Sequence, residues 1–448
     1  MRKFVLSILT AALILISIVP TALASYNSEI DVEAEVVYIQ STDDGTVIFD
    51  KNADMPTAPA SLAKIVVATL VLEKVQNLDE VIEIPAYTIR LLDGTNSSNV
   101  GLVPGEQMSI RNLLYCLLVA SANDAANVLA DYICKNNIGE FVQMMNDYVK
   151  SIGCQNTNFI NPSGLDAEGQ YTTARDVAIF TLKALENPVF EEITSTKKYT
   201  VPPTNKYPKE RNLVSTVKIL NSGIKDYYIA NAKGVKTGTT KNAGHCVVTT
   251  ASKDGYSYLA IIMRAPMYDI DKDGVEENIA FTECKELLEW TFKNIKLRLV
   301  AEKNQVVSVI DVGLSSKYDH LRLLPEREVS ALVPSGVNAS GVYFEVIDEL
   351  TPTYIEAPIK KGEKIGRARI LYAGNEIAQV DLVAGETIER NFLLYVVKLL
   401  KITVTSPAFI ILVSIIIAAV VVILILRARN SRQKTKIRIV RDYSGLNK

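Results

Sequence analysis

A serine and a lysine three positions apart, Ser61 and Lys64, stand at the head of an apolar run, Ile65-Val66-Val67-Ala68-Thr69-Leu70-Val71-Leu72. If that run is helical, residues i and i+3 are neighbours on one face, roughly 5–6 Å apart at Cβ. Pro59 suits the start of a helix, which puts Ser61 in the first turn, at the positive end of the dipole. A serine hydroxyl is a poor nucleophile until a base takes its proton, and an amine one turn on is such a base. The amine must first be neutral. At an unperturbed pKa near 10.4 only about one lysine in 2500 is deprotonated at pH 7, and bringing that pKa to 7–8 takes roughly 4 kcal/mol. Burial or a second cation has to supply it. Read alone, Ser61 and Lys64 also describe an ordinary helix start with a solvated lysine.

Two further clusters lie downstream. Ser121-Ala122-Asn123 interrupts a Leu-rich segment, and Lys236-Thr237-Gly238 follows a glycine in a strand-like stretch. Polar residues between Leu118-Val119 and Val128-Leu129 suit a loop joining two buried helices, although Ser and Asn also cap helices. Gly238 lets a ligand approach the strand backbone closely, as a peptide docking along that strand needs. Lys236 offers a cation to a substrate carboxylate; taken singly it reads as a solvated lysine. Other chemistries have little material. The chain has two histidines, His245 and His320, and five cysteines with no C-x-x-C spacing, so a His-based triad or a zinc hydrolase site is not expected. Asp269, Asp271, Asp273 and Gly274 mimic the opening of a calcium loop, but its closing position holds Ala280 rather than a glutamate, so this is read as an acidic turn. No cofactor and no metal are expected.

The elements that must position these residues follow from local pattern. Val36-Val37-Tyr38-Ile39 and Val47-Ile48-Phe49 flank the turn residues Asp43-Asp44-Gly45, a hairpin. The Ser61 helix follows directly. Residues 109–130 are helical and apolar, broken at Ser121. Asn161-Pro162-Ser163-Gly164 is a turn, and Thr173 caps the next helix. Residues 199–228 read as irregular and polar. The segment around Lys236 and the stretch Cys246-Val247-Val248-Thr249-Thr250 are read as adjacent antiparallel strands. Residues 283–299 read as the last helix of the first domain, and short strands separated by turns then suggest an all-β domain without recognisable chemistry.

The 448 residues suggest about three domains. A hydrophobic content of 48% supports real cores, and a net charge of −2 gives no sign of a nucleic-acid partner. An odd number of cysteines cannot all pair internally, so they read as mostly reduced, buried small hydrophobes. Arg2 and Lys3, the apolar stretch Phe4–Val19 and Ala22-Leu23-Ala24 read as an export signal or an uncleaved anchor. Ala408 to Leu426 carries no charge, and seven basic residues follow, from Arg427 to Arg441, against Asp442. Such a run spans a bilayer, and the positive-inside rule puts the tail in the cytoplasm and the bulk of the chain outside. Contact of the tail with anionic lipid is the plainer role for its charge. The expected organisation is a signal peptide at 1–24, a catalytic domain at 25–297, a β-sandwich at 298–392, a juxtamembrane segment at 393–406, a transmembrane helix at 407–426 and a basic tail at 427–448.

The ordered set Pro59-Ala60-Ser61-Leu62-Ala63-Lys64, Ser121-Ala122-Asn123-Asp124-Ala125 and Lys236-Thr237-Gly238-Thr239 resembles the low-molecular-mass penicillin-binding proteins of the D-alanyl-D-alanine carboxypeptidase family. Asn161–Leu165, Thr173–Asp176 and Ala357–Gly362 add to the likeness, which covers roughly residues 30–390. The resemblance implies an α/β (α+β) transpeptidase/β-lactamase-like catalytic domain, followed by the small β-sandwich. It implies Ser61 as the acylated nucleophile, Lys64 as its base, and Ser121 as proton relay to the leaving amine. Asn123 would hold the substrate amide. Lys236 and Thr237 would engage the terminal carboxylate along the strand through Gly238, and the N–H groups of Ser61 and Thr239 would form an oxyanion hole. The implied partners are peptidoglycan stem peptides ending in D-Ala-D-Ala, β-lactams as covalent inhibitors, and the membrane. Gln170-Tyr171 stands where many relatives have His-Tyr, and the C-terminal spanning helix replaces an amphipathic interfacial one. A DD-endopeptidase, a β-lactamase and a catalytically weak wall-binding or penicillin-sensing protein remain alternatives; no Glu-x-x-Leu-Asn segment lies between Ser121 and Lys236.

Overall fold

Val36-Val37-Tyr38-Ile39 is apolar without alternation, which is the pattern of a strand covered on both faces. The computed structural model describes residues 30–269, 274, 276–335 and 341–442, with side chains as far as 429. The expected export signal, Asp271 and Asp273, and most of the basic tail's side chains lie outside the described residues. The chain divides into two units: residues up to 299 with 330–343 and 371–378, and residues 300–329, 344–370 and 379 onward.

The first unit holds an antiparallel sheet. Its strands are β1 (Val36–Ser41), β2 (Val47–Lys51), β3 (Ala232–Thr240), β4 (Gly244–Lys253) and β5 (Tyr256–Ala265), in spatial order β2-β1-β5-β4-β3. Val36 and Tyr38 pack into one hydrophobic cluster and Val37 and Ile39 into another, so both faces of β1 are covered. One cluster is shared with α1 (Ala63–Lys74), α2 (Ile110–Leu118) and α3 (Asn123–Cys134); the other with α4 (Ile279–Asn294). Residues 63–71 of α1 are all buried, which explains why this helix is apolar around its whole circumference instead of along one stripe. β3 ends the sheet, so one of its edges is free to receive an extended peptide.

Three segments differ from the sequence reading. Ser61 lies in a 3₁₀ turn, Ala60–Leu62, ahead of α1 and not in its first α-turn. Within 199–228, Lys198–Val201 pairs with Arg211–Val214 as a hairpin; a buried arginine at 211 broke the apolar-in pattern that marks a strand. The helix read at 283–299 runs from Ile279 to Asn294, with Asn278 as its N-cap, and Ile295–Ala301 is a strand. There Ile295-Lys296-Leu297-Arg298-Leu299 alternates with period two, a signal that the neighbouring helical pattern obscured.

A six-stranded sheet, most of whose residues fall in the second unit, runs in the order Val342–Val346, Lys364–Tyr372, Asn375–Ala384, His320–Pro325, Ser308–Gly313, Tyr354–Glu356. α5 (Phe392–Thr405) and α6 (Pro407–Asp442) follow. Residues 407–429 form a helix long and apolar enough to cross a membrane, with mean hydropathy 3.6. All five cysteines are unpaired, four of them buried.

Candidate active site

The nucleophile candidate is held by its turn. Ala60 takes a left-handed backbone, φ +46°, and the residue is fully buried. Gly164 and Gly238 pack against this turn, and a Cβ at Gly238 would lie 2.8 Å from the Ala60 Cβ and 3.1 Å from the Ser61 nitrogen. Ser61 is thus fixed between the Asn161–Gly164 turn and the free edge of β3.

Lys64 is fully buried, and its Nζ donates to Ser61 Oγ at 2.7 Å and to the Ser163 carbonyl at 2.8 Å. Burial pushes its pKa well below the usual lysine value; the Lys236 charge adds to the effect, and Asp124 opposes it. Lys236 is fully buried too, with its pKa pushed down to about 7 by burial. Its Nζ donates to Ser121 Oγ at 2.7 Å and to the Thr237 carbonyl at 2.9 Å. The site therefore holds two Ser–Lys pairs. Among the described residues neither amine has a carboxylate ion-pair partner, and the Lys236 charge disfavours a proton on Lys64.

Ser121 sits between α2 and α3 with φ +59°, a strained conformation for a non-glycine residue. Asn123 opens α3, and its Oδ1 is buried without a hydrogen-bond partner among the described residues. Such an orphan acceptor is costly unless a ligand donates to it. Thr237 Oγ1 donates to Thr216 Oγ1 at 2.7 Å. Ser61, Asn123 and Thr239 line a cavity of about 460 Å³ together with residues 95–98 and 163–166. Ser61, Ser121, Thr237, Gly238 and Thr239 line a second of about 360 Å³. All eight residues singled out from sequence are thus gathered around one cleft: Ser61, Lys64, Ser121, Asn123, Lys236, Thr237, Gly238 and Thr239.

Other parts of the site have no role assigned from sequence, although Gln170 stands out there as a departure from the family pattern. The Ser163 carbonyl is a backbone acceptor and leaves no residue-type signal. Gln170 accepts from the Ile160 and Asn161 N–H groups and donates to the Leu165 carbonyl at 2.7 Å, so it laces the turn that supports Lys64. Asp166 accepts from Thr240 Oγ1 at 2.7 Å and from the Asn242 N–H at 3.1 Å, fixing the end of β3. Among the described residues no cluster of three or more His, Cys, Asp or Glu is placed to hold a metal.

Residues 23–267 match the D-alanyl-D-alanine carboxypeptidase family, peptidase S11, and residues 296–390 match the penicillin-binding protein 5 C-terminal domain. The chain is 28% identical to D-alanyl-D-alanine carboxypeptidase DacF of Bacillus subtilis (strain 168), over 87% of this chain and 95% of that one. It is 29% identical to D-alanyl-D-alanine carboxypeptidase DacC of Escherichia coli (strain K12), over 83% and 89%. Penicillin-binding protein 5 from Haemophilus influenzae superposes with a TM-score of 0.58 at 26% identity, covering 82% of this chain and all of that one. The Streptomyces K15 DD-transpeptidase superposes with a TM-score of 0.52 at 26% identity over 60% of this chain and all of that one. These neighbours share the expected transpeptidase-like fold. The chain belongs to the D-alanyl-D-alanine carboxypeptidase family of serine hydrolases.

Proposed function

We propose that this chain removes the terminal D-Ala from peptidoglycan stem peptides through an acyl-enzyme on Ser61, and that penicillins acylate the same oxygen. One observation carries the reading: a fully buried amine, Lys64 Nζ, stands 2.7 Å from Ser61 Oγ with its pKa depressed. That is the geometry a general base needs, and the depressed pKa favours the neutral amine that can take a proton.

Neutral Lys64 takes the Ser61 proton as Oγ attacks the carbonyl of the penultimate D-Ala. The N–H groups of Ser61 and Thr239 stabilise the resulting oxyanion. Ser121 Oγ, backed by Lys236, delivers a proton to the departing amine as the peptide bond breaks. Water then hydrolyses the ester and restores Ser61. Asn123 Oδ1 accepts from the substrate amide, while Lys236 and Thr237 hold the terminal carboxylate. The free edge of β3 beside Gly238 gives the peptide a strand to extend. The apolar helix at 407–429 anchors the chain as a single-pass protein, with Arg427 and Arg429 on its cytoplasmic side and both units on the wall side.

The test uses the full chain in detergent micelles with diacetyl-Lys-D-Ala-D-Ala, following free D-Ala. Release that vanishes in Ser61→Ala supports the reading. Covalent labelling of Ser61 by a fluorescent penicillin without release favours an endopeptidase or a penicillin sensor. Absence of both overturns the mechanism.

A further inference from the structure

His245 is the only histidine of the first unit, and it pairs with Thr239 across the β3–β4 ladder. Its Nδ1 lies 3.3 Å from Thr239 Oγ1 and 3.4 Å from Asn278 Nδ2. Asn278 cannot turn its oxygen to the ring at no cost, because Oδ1 accepts from the Ala280 N–H as the cap of α4. Its NH₂ group therefore faces the ring, and Nδ1 is an acceptor in the resting state, which fixes the neutral Nε2–H form. Burial of the ring agrees with this by lowering its pKa, with Glu276 opposing.

In that state the Thr239 hydroxyl proton is drawn toward Nδ1, and Oγ1 shows lone pairs to the cleft. Thr237 and Thr239 are two apart on β3 and so project to the same face; both line the 360 Å³ cavity with Ser61, Ser121 and His245. Resting on the function proposed above, we infer that His245 is a positioning residue for substrate binding. Its protonation turns Thr239 from an acceptor into a donor toward the substrate's terminal carboxylate. With Nδ1–H donating to Thr239 Oγ1, the hydroxyl proton is released to the carboxylate and a positive charge stands behind it. Carboxylate binding and protonation of His245 are then coupled reciprocally.

The charged groups around the ring leave it this role. Glu276 acts on it directly, and Lys218 and Tyr227 line the same cavity. Arg264 on β5 is committed to Glu35 and to the Asn242 carbonyl. Lys236 donates to Ser121, which lines the same cavity, so its charge acts on the carboxylate beside that of His245, and Lys241 lines the other cavity.

The test measures binding of diacetyl-Lys-D-Ala-D-Ala and of its C-terminal carboxamide by calorimetry, on the full-length Ser61→Ala chain in micelles. The free acid is expected to bind about three- to tenfold more tightly at pH 5.5 than at pH 7.5, with proton uptake, since its carboxylate stays ionised there. The carboxamide should show no such gain, and on Ser61→Ala/His245→Gln or Ser61→Ala/Thr239→Val the free acid should keep only the smaller gain that charging of Lys236, with its pKa of about 7, supplies in the same window. In the active chain the His245→Gln change should fall on KM and not on kcat. Superimposable affinity profiles with and without His245, or an equal gain for the carboxamide, overturn the inference. Release of D-Ala by Ser61→Ala would instead sink the nucleophile assignment, which is a separate failure.

Discussion

A Cβ on Gly164 would fall 1.7 Å from the carbonyl oxygen of Ala60, and Gly164 itself holds φ at +81°. Ala60 occupies the left-handed region at φ +46°, which costs a non-glycine residue roughly 1–2 kcal/mol. The turn bearing Ser61 is therefore held by an interlock with the Asn161–Gly164 turn, not by its own preference. Gly164→Ala meets backbone rather than a flexible side-chain tip, so the 60–61 turn has to move. A misplacement of about 1 Å at the nucleophile costs on the order of 100-fold in rate. Labelling by a fluorescent penicillin should slow by at least that factor while the circular dichroism stays native. Wild-type labelling rates would show that the interlock does not position Ser61.

Lys64 and Lys236 are buried at the expense of stability. For Lys236 the folded pKa is about 7, so between about 7 and the unfolded 10.4 the unfolded chain binds more protons. Stability from this group rises with pH across that window, and nearly the whole penalty applies at pH 7. Lys64 is shifted in the same direction. Replacing it with a chain of similar volume that carries no charge removes the penalty. Lys64→Met should abolish D-Ala release yet raise the melting temperature at pH 7, by roughly 2–4 °C for each kcal/mol recovered in a domain of this size. A lowered melting temperature would mean that the Lys64 contacts with Ser61 and Ser163 outweigh its desolvation.

What was legible in the sequence were the groups whose chemistry is restricted to few residue types. Ser61 and Lys64 stand out at the head of an apolar run, Ser121 and Asn123 because they interrupt one, and Lys236 because its Lys-Thr-Gly completes an ordered set of three motifs. The hairpin before Ser61 and the β3–β4 pair were readable from β-branched residues around Asp-Gly and Asn-Ala-Gly turns. The hidden parts are those in which the backbone does the work. The Ser163 carbonyl and the Gly164–Ala60 interlock depend on how two distant turns meet. The Lys198–Val214 hairpin was hidden because Arg211 faces inward, where a strand pattern expects an apolar side chain.

Lys236 should set the alkaline limb of activity. It is protonated below its pKa of about 7 and loses its charge as pH rises through that value, and a neutral amine no longer attracts the substrate carboxylate. The profile of kcat/KM reports the free enzyme, so it should fall above about pH 7, while kcat should fall later because bound carboxylate favours the charged amine. Lys236→Arg keeps a cation at every accessible pH. Whatever activity that variant retains should lack the alkaline limb. A limb at the same pH in the arginine variant would assign it to another group, such as the pair Lys64–Ser61.

The lip of the cleft is held by buried charge. Arg211 and Glu106 form an ion pair whose side chains are 5% and 0% exposed. Arg211 also donates to the carbonyls of Val100 and Gly101 at 3.1 Å. From the other side the Asp124 carboxylate accepts from the Val100 and Leu102 N–H groups at 3.1 Å, and the Asn123 N–H donates to the Ser98 carbonyl at 2.9 Å. Residues 95–102 are thus clamped over Asn123 by two charged groups that grip opposite sides of the Val100 backbone. Breaking a buried pair by removing one partner typically costs about 3–5 kcal/mol, because the other charge is left uncompensated. Arg211→Met should lower the melting temperature and speed amide hydrogen exchange over 95–102, and the added change Glu106→Gln should restore much of the melting temperature. It should not restore KM, because the grip on the Val100 and Gly101 carbonyls is still missing. Recovery of both in the double variant would reduce Arg211 to a counter-ion for Glu106; recovery of stability alone leaves it as the residue that sets the lip.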